Sequence, residues 1–389
     1  MKPKFISFIH PALRPIVLGI GLFLLFNCVL TLGITFSPIN SRFNFSYGNY
    51  LPKKLSLMAQ QDPQKLNVLF LGTSQTNNGF IPNVFEETAR EVLQGSDTIA
   101  INSFNLGLPN NRYDIMHAYL RYHIQKYGRP KLVLIELSPS TQEVDSYYYY
   151  LPALYYRTLI ENSPSQAVEF LSHPHLAWKV KKELALAAFS SLYQYRHTFS
   201  PLNILEKGSS KISKLIHKDK SREPLLEEDF PISEALMAKG WHPYMQSPNM
   251  KTPDGIRRSV QEAKAYYIDH QKTVRFDKLR LLIAYCKAQH IPVVLVSWPQ
   301  HPEFSKILFQ SPLGKEYLAG LNQLAQQESI PILNLNEQLP SAIDPALFAD
   351  PRHLTPKGAM QFSRILAQTL FSDVAIAQHF KQDTHLSQR

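Results

Sequence analysis

The stretch Val68-Leu69-Phe70-Leu71-Gly72-Thr73-Ser74-Gln75-Thr76 decides the fold. An unbroken apolar run, closed by glycine and then by hydroxyl and amide residues, reads as a buried strand turning sharply into a helix. Working outward, residues 66–71, 99–104, 132–137, 292–297 and 332–335 form five such short apolar runs. Amphipathic segments of helical period, among them 84–93, 115–127 and 276–289, lie between most of them. Strands alternating with helices predict an α/β fold, a parallel sheet covered on both faces. The rhythm breaks once, between the third and fourth runs, where residues 138–275 form an insert.

Open α/β sheets bind ligands outside the carboxyl ends of their strands. Ser74 follows the first strand and opens a helix, so it stands at that edge, where a helix N-terminus favours negative charge. A phosphate loop is excluded, because no Gly-Lys-Ser/Thr ending follows. The second informative stretch is Phe348-Ala349-Asp350-Pro351-Arg352-His353-Leu354-Thr355-Pro356-Lys357-Gly358-Ala359. Thr355 and Pro356 read as an N-cap and first helical position, ahead of a helix burying Ala359, Phe362, Ile365 and Leu366. Asp350 and His353 then occupy the loop between the fifth strand and that helix. Asp-x-x-His in a short loop lets the carboxylate hold the imidazole's tautomer while the other ring nitrogen serves a nucleophile.

Together, Gly-x-Ser after strand one and Asp-x-x-His-Leu before the last helix resemble the SGNH (GDSL-type) hydrolase family, over roughly residues 66–137 and 276–370. The resemblance implies a flavodoxin-like three-layer α/β/α sandwich of five parallel strands. It also implies Ser74 as nucleophile, His353 as general base and acid, and Asp350 as its orienting partner. Asn102-Ser103-Phe104-Asn105-Leu106-Gly107-Leu108-Pro109-Asn110 is similar to the family's Asn-x-Gly-x-x-Gly block, with Asn110 standing where an oxyanion glycine is usual. Gly107 and Asn110 are therefore expected to supply backbone oxyanion donors, since asparagine tolerates the left-handed conformation. The family's Gly-x-Asn-Asp block is missing, with Glu136-Leu137-Ser138-Pro139-Ser140 in its place. Asn105, Asn111 and Asn77 are the replacements for its side-chain donor.

Location is written at the N-terminus. No charged residue occurs from Pro15 to Ser41, and Lys2, Lys4 and Arg14 precede the apolar run. Some twenty apolar residues at 1.5 Å each span about 30 Å, the thickness of a bilayer's hydrocarbon region. A single-pass signal anchor over 15–37 is expected, with residues 1–14 cytoplasmic and the rest extracytoplasmic. The rival, a cleaved signal peptide, lacks a small-x-small cleavage site. Residues 38–64 read as a linker, 65–375 as the SGNH-like domain and 376–389 as a tail. Cys28, inside the span, and Cys286 are not expected to pair.

With 41 Lys plus Arg against 31 Asp plus Glu, the net charge is +10. In an exported domain without a recognition motif, this suits an anionic membrane surface or polymer, and nucleic acid is not expected. The insert adds tyrosines 147–150, 155 and 156 and the basic residues Lys207, Lys211, Lys214, Lys218, Lys220 and Arg222. It is read as a helical cap with a solvated basic loop, or as one facing lipid headgroups or an anionic acceptor. His173 and His175 lack companion ligands, so no metal is expected, and no cofactor either. His301, in Trp298-Pro299-Gln300-His301-Pro302 beyond the fourth strand, is a substrate-contact candidate, and Arg352 reads as a surface arginine.

An anchor, an outward-facing SGNH-like domain and a large insert resemble the family's DltD-type, polysaccharide O-acetylation branch. That branch implies a serine-dependent acyltransferase moving an acetyl or D-alanyl type group to a cell-envelope polysaccharide or teichoic-acid-like acceptor. A membrane-bound O-acyltransferase would be its acyl donor, and membrane lipid a further partner. A membrane-anchored esterase or deacetylase, and a non-catalytic assembly protein, are the alternatives.

Overall fold

The computed structural model describes residues 14–35, 50–93, 100–137, 155, 159, 178, 181–182, 233–269, 274–338 and 344–386. The chain divides into two compact units, Met1–Asn49 with His173–Ser221, and Tyr50–Ser172 with Arg222–Arg389. In the first unit, helix α1 runs Arg14–Thr35. Its described apolar side chains, from Ile16 to Val29, are exposed. Over the described residues alone, no helix is long and apolar enough to cross a membrane; part of α1's side chains falls outside them.

The second unit is an α/β body. Strands β1 (Val68–Gly72), β2 (Ser103–Gly107), β3 (Leu132–Leu137), β4 (Val293–Ser297) and β5 (Ile332–Asn334) form one parallel sheet of order β2-β1-β3-β4-β5. This doubly wound order reverses direction between β1 and β3, which opens a crevice at the carboxyl ends of those strands. Every residue of β1 to β4 is buried, as a sheet covered on both faces requires.

Helices α2 (Tyr50–Gln60), α3 (Ser74–Gly79), α4 (Pro82–Val92), α5 (Tyr113–Tyr127), α6 (Pro253–Lys264), α7 (Asp277–Ala288), α8 (Pro302–Gln310), α9 (Pro312–Glu328), α10 (Pro356–Phe371) and α11 (Val374–Leu386) complete the main elements. Successive strand residues point to opposite faces. Val68, Phe70, Leu132, Leu134, Val294 and Val296 meet Phe85 of α4 and Phe362 and Leu366 of α10 in one apolar cluster. Across the sheet, α5 and α7 pack together, with His117 against Tyr285. Thr355 caps α10 by accepting from Gly358 N–H at 3.2 Å, with Pro356 at its first position, as the sequence indicates.

Three boundaries differ from expectation. The second strand is 103–107 rather than 99–104, because the pairing Gly72↔Gly107 carries it into polar but fully buried Ser103 and Asn105. The expected linker over 38–64 contains α2, whose Leu51, Lys54, Leu55 and Met58 are buried. The expected tail belongs to α11, where Phe380 is buried against Phe371. Of the insert, 155, 159, 178, 181–182, 233–269 and 274–275 are described; residues 233–269 carry α6 and short helical turns and no strand. Tyrosines 147–150 and 156, the basic residues 207–222, His173 and His175 lie outside the described residues. Cys286 is free and buried, and burial pushes its thiol up to about 12, which makes it inert.

Candidate active site

Gly72 ends β1, and a side chain there would collide with Thr76 and with Glu136 Oε2, so the tight turn needs glycine. Thr73 is the N-cap of α3, its Oγ1 accepting from Gln75 N–H at 3.3 Å. Ser74 is therefore the first helical residue, half-buried at the carboxyl edge of the sheet. The Thr73 and Thr76 N–H groups donate to Glu136 Oε2 at 2.8 and 3.0 Å. Among the described residues, this leaves the Ser74 N–H as the one donor of that turn with no protein acceptor.

The other half of the site comes from the far end of the chain. An isolated antiparallel bridge, Phe348↔Leu354, pinches the loop that carries Asp350 and His353. Asp350 Oδ1 accepts the N–H groups of Arg352 and His353 at 2.8 and 2.9 Å, which presents Oδ2 to the ring. His353 Nδ1 lies 2.7 Å from Asp350 Oδ2, and His353 Nε2 lies 2.8 Å from Ser74 Oγ. An ionised carboxylate only accepts, so the proton sits on Nδ1, and Nε2 accepts from the Ser74 hydroxyl. Burial opposes the charge of Asp350. The adjacent imidazole and the two backbone N–H groups outweigh it and hold the carboxyl well below the usual range.

A clasp joins the two loops. Gln75 Nε2 donates to Arg352 O at 3.0 Å, and Arg352 Nη2 donates to Gln75 Oε1 at 2.9 Å. Arg352 is thus buried, at 6 % exposure, with its guanidinium 3.8 Å from the centre of the Tyr267 ring; the surface reading is corrected. The insert reaches the same place through Tyr244, whose ring centre is 4.7 Å from that of His353. Tyr244 is exposed. Neither tyrosine was singled out from the sequence, since neither Tyr244 nor the Tyr266-Tyr267 pair has a spacing that points to the site.

The expected oxyanion donors divide sharply. Gly107 N–H donates to Asn105 Oδ1 at 2.9 Å, and Leu108 N–H to Gly72 O at 3.0 Å. Pro109 has no N–H, so Asn110 keeps the one N–H of this loop without an acceptor among the described residues. It is exposed and left-handed, at φ 52°. Tyr155 holds the loop from the insert, donating to Pro109 O at 2.9 Å. Gly107 is corrected as a donor, and so are two asparagines. Asn105 Nδ2 is engaged by Thr76 O and Phe80 O at 2.7 Å each, and Asn111 Nδ2 by Gly72 O and Tyr119 Oη at 2.8 and 2.9 Å. Asn77 differs: its side-chain amide is buried and, among the described residues, meets no partner.

His301 sits beneath the Asp350–His353 loop, its N–H donating to Pro351 O at 3.0 Å and its ring packed on Phe348. Both ring nitrogens are buried and, among the described residues, meet no partner, and burial lowers the imidazole's pKa. Among the described residues, no group of His, Cys, Asp and Glu is arranged to hold a metal ion.

A protein-family model matches residues 256–375, which hold β4, β5 and the Asp350–His353 loop but neither Ser74 nor Glu136. No curated protein matches the chain.

Proposed function

We propose that the protein is a serine-dependent acyltransferase of SGNH type, a three-layer α/β/α sandwich anchored to the cell membrane through α1. One observation carries this reading: Ser74 Oγ, His353 and Asp350 form a continuous hydrogen-bonded relay, at 2.8 and 2.7 Å. In the reaction, Ser74 Oγ attacks the carbonyl carbon of an acyl donor and passes its proton to His353 Nε2. The leaving group departs with that proton, and an acyl-serine remains. An acceptor hydroxyl then yields its proton to His353 and attacks the ester, and Ser74 recovers its hydrogen. The Ser74 and Asn110 N–H groups suit the developing oxyanion, and loss of one such donor costs about 3–4 kcal/mol in comparable sites.

The exposed apolar surface of α1, from Ile16 to Val29, supports an anchor, because water does not tolerate so long an apolar face. The acyl donor is then a membrane-bound O-acyltransferase, and the acceptor a hydroxyl of an envelope glycan. The test treats the full-length protein in detergent with a fluorophosphonate and locates the label by mass spectrometry. A label on Ser74 is expected, and its absence defeats the reading. Rapid hydrolysis of p-nitrophenyl acetate, unaffected by added glycan, would instead make the protein an esterase.

A further inference from the structure

Resting on the reading of Ser74 as nucleophile, we infer that Glu136 is its positioning residue, setting the reactive geometry from inside the sheet. Glu136 lies one residue before the end of β3 and is fully buried. Four donors converge on it: Thr73 N–H, Thr76 N–H and Thr76 Oγ1 reach Oε2 at 2.8, 3.0 and 2.6 Å, and Thr73 Oγ1 reaches Oε1 at 2.5 Å. Two of these contacts are backbone N–H groups, which can only donate, and both end on Oε2. No lysine, arginine or histidine among the described residues forms an ion pair with it.

A carboxyl group buried this deeply does something that an apolar residue cannot, because burying a polar group is costly unless its hydrogen bonds are used. Here it draws the residue before Ser74 and the residue two beyond it onto one oxygen. That fixes the backbone on both sides of the nucleophile and leaves the Ser74 N–H unused. The constraint then travels outward. The Thr73 hydroxyl that donates to Glu136 also accepts from Gln75 N–H, and Gln75 is clasped to Arg352 in the loop carrying His353. One carboxylate on a rigid strand thus sets the nucleophile directly and its distance from the base through two further residues.

The test compares fluorophosphonate labelling of the full-length wild type, Glu136→Gln and Thr76→Val, separating kinact from KI. Glu136→Gln keeps the shape but turns an amide N–H2 toward existing donors. A fall in kinact of 10-fold or more with KI unchanged is expected. Thr76→Val deletes a single donor, and a smaller fall in kinact, again at constant KI, is expected. Wild-type kinact in a folded Glu136→Gln protein overturns the inference, as does a fall confined to KI. Should Glu136→Gln not fold, Thr76→Val decides alone, and wild-type kinact there overturns it. Absence of Ser74 labelling in the wild type is a different failure, that of the nucleophile assignment itself.

Discussion

Two buried glutamates, one at each edge of the sheet, are satisfied in opposite ways. Glu86 stands at the amino edge beside Ser103, the first residue of β2, and accepts from that residue's N–H and hydroxyl. Its charge is met by Lys239 of the insert, at 2.5 and 2.7 Å. Glu136, toward the carboxyl edge, has four neutral donors and, among the described residues, no cation. An ion pair stands where only the attachment of the insert is at stake. A carboxylate without a counter-ion stands where nearby charge would act on the chemistry. On the proposed reading, fold maintenance and nucleophile placement are thus assigned to separate edges of one sheet.

The largest expected effect lies at the carboxyl edge. Ser74→Ala or His353→Ala should lower acyl transfer by about 10⁴-fold or more while moving Tm by no more than about 2 °C. Asp350→Asn should do less, because Asp350 orients and stabilises the imidazole without reacting. A large drop in Tm with Ser74→Ala would mean that the two edges do not divide the tasks. Next comes Lys239→Met, which leaves Glu86 without its cation. Urea unfolding should show a loss of about 2–3 kcal/mol, below the usual ~3–5 for a fully buried pair because solvent reaches Lys239, with Ser74 labelling unchanged. Slower labelling in that variant would break the comparison.

Asp114, in the first turn of α5, sharpens it as a third carboxylate, this one half-buried. Burial works against its charge, but Arg112 at 2.6 Å and Lys278 at 3.1 Å prevail and hold its carboxyl down at about 2. Its folded pKa lies below the unfolded value of about 3.9, so the stabilisation is complete above about pH 4 and is lost as pH falls through about 2. Asp114→Asn should therefore cost about 2 kcal/mol at pH 7 and almost nothing near pH 2, read from unfolding curves at the two pH values. The smallest effect belongs to Lys54, a buried ammonium donating only to Asn105 O and Oδ1, at 2.8 and 3.1 Å. Burial, then neighbouring Lys53, pushes its pKa well below the ordinary lysine value. The unfolded chain binds the extra proton, so wild-type stability should rise with pH toward about 10, a slope that Lys54→Met should abolish. At neutral pH that variant should match or exceed the wild type by up to about 1 kcal/mol.

Much of this was legible in the sequence wherever hydrophobicity and order coincide. The runs at 132–137 and 292–297 became β3 and β4 almost residue for residue, and the Ser74 and Asp350–His353 segments fall at the same sheet edge. Residue type misled where polar groups are buried. Ser103 and Asn105 continue β2 because Glu86, Lys54 and neighbouring main chain satisfy them, which an apolar-run reading cannot see. Lys54 likewise disguised α2 as linker. Asn105 and Asn111 failed as oxyanion candidates for another reason: which way an asparagine amide turns is set by carbonyls brought in from other elements. Glu136 did carry a signal, a lone acid in an otherwise apolar strand, and a buried polar residue is the informative kind.

The hydrogen bond between Ser74 and His353 spans 279 residues. Proteins are made from the N-terminus at about 5–20 residues per second, so a ribosome needs about 15–60 s to travel from the one to the other. The serine and its glutamate floor exist for most of that interval without a base. If the proposed triad is right, a chain cut short before the Asp350–His353 loop has no acyl-transfer activity. On the proposed reading, the nucleophile gains its base only after the Asp350–His353 loop has been made.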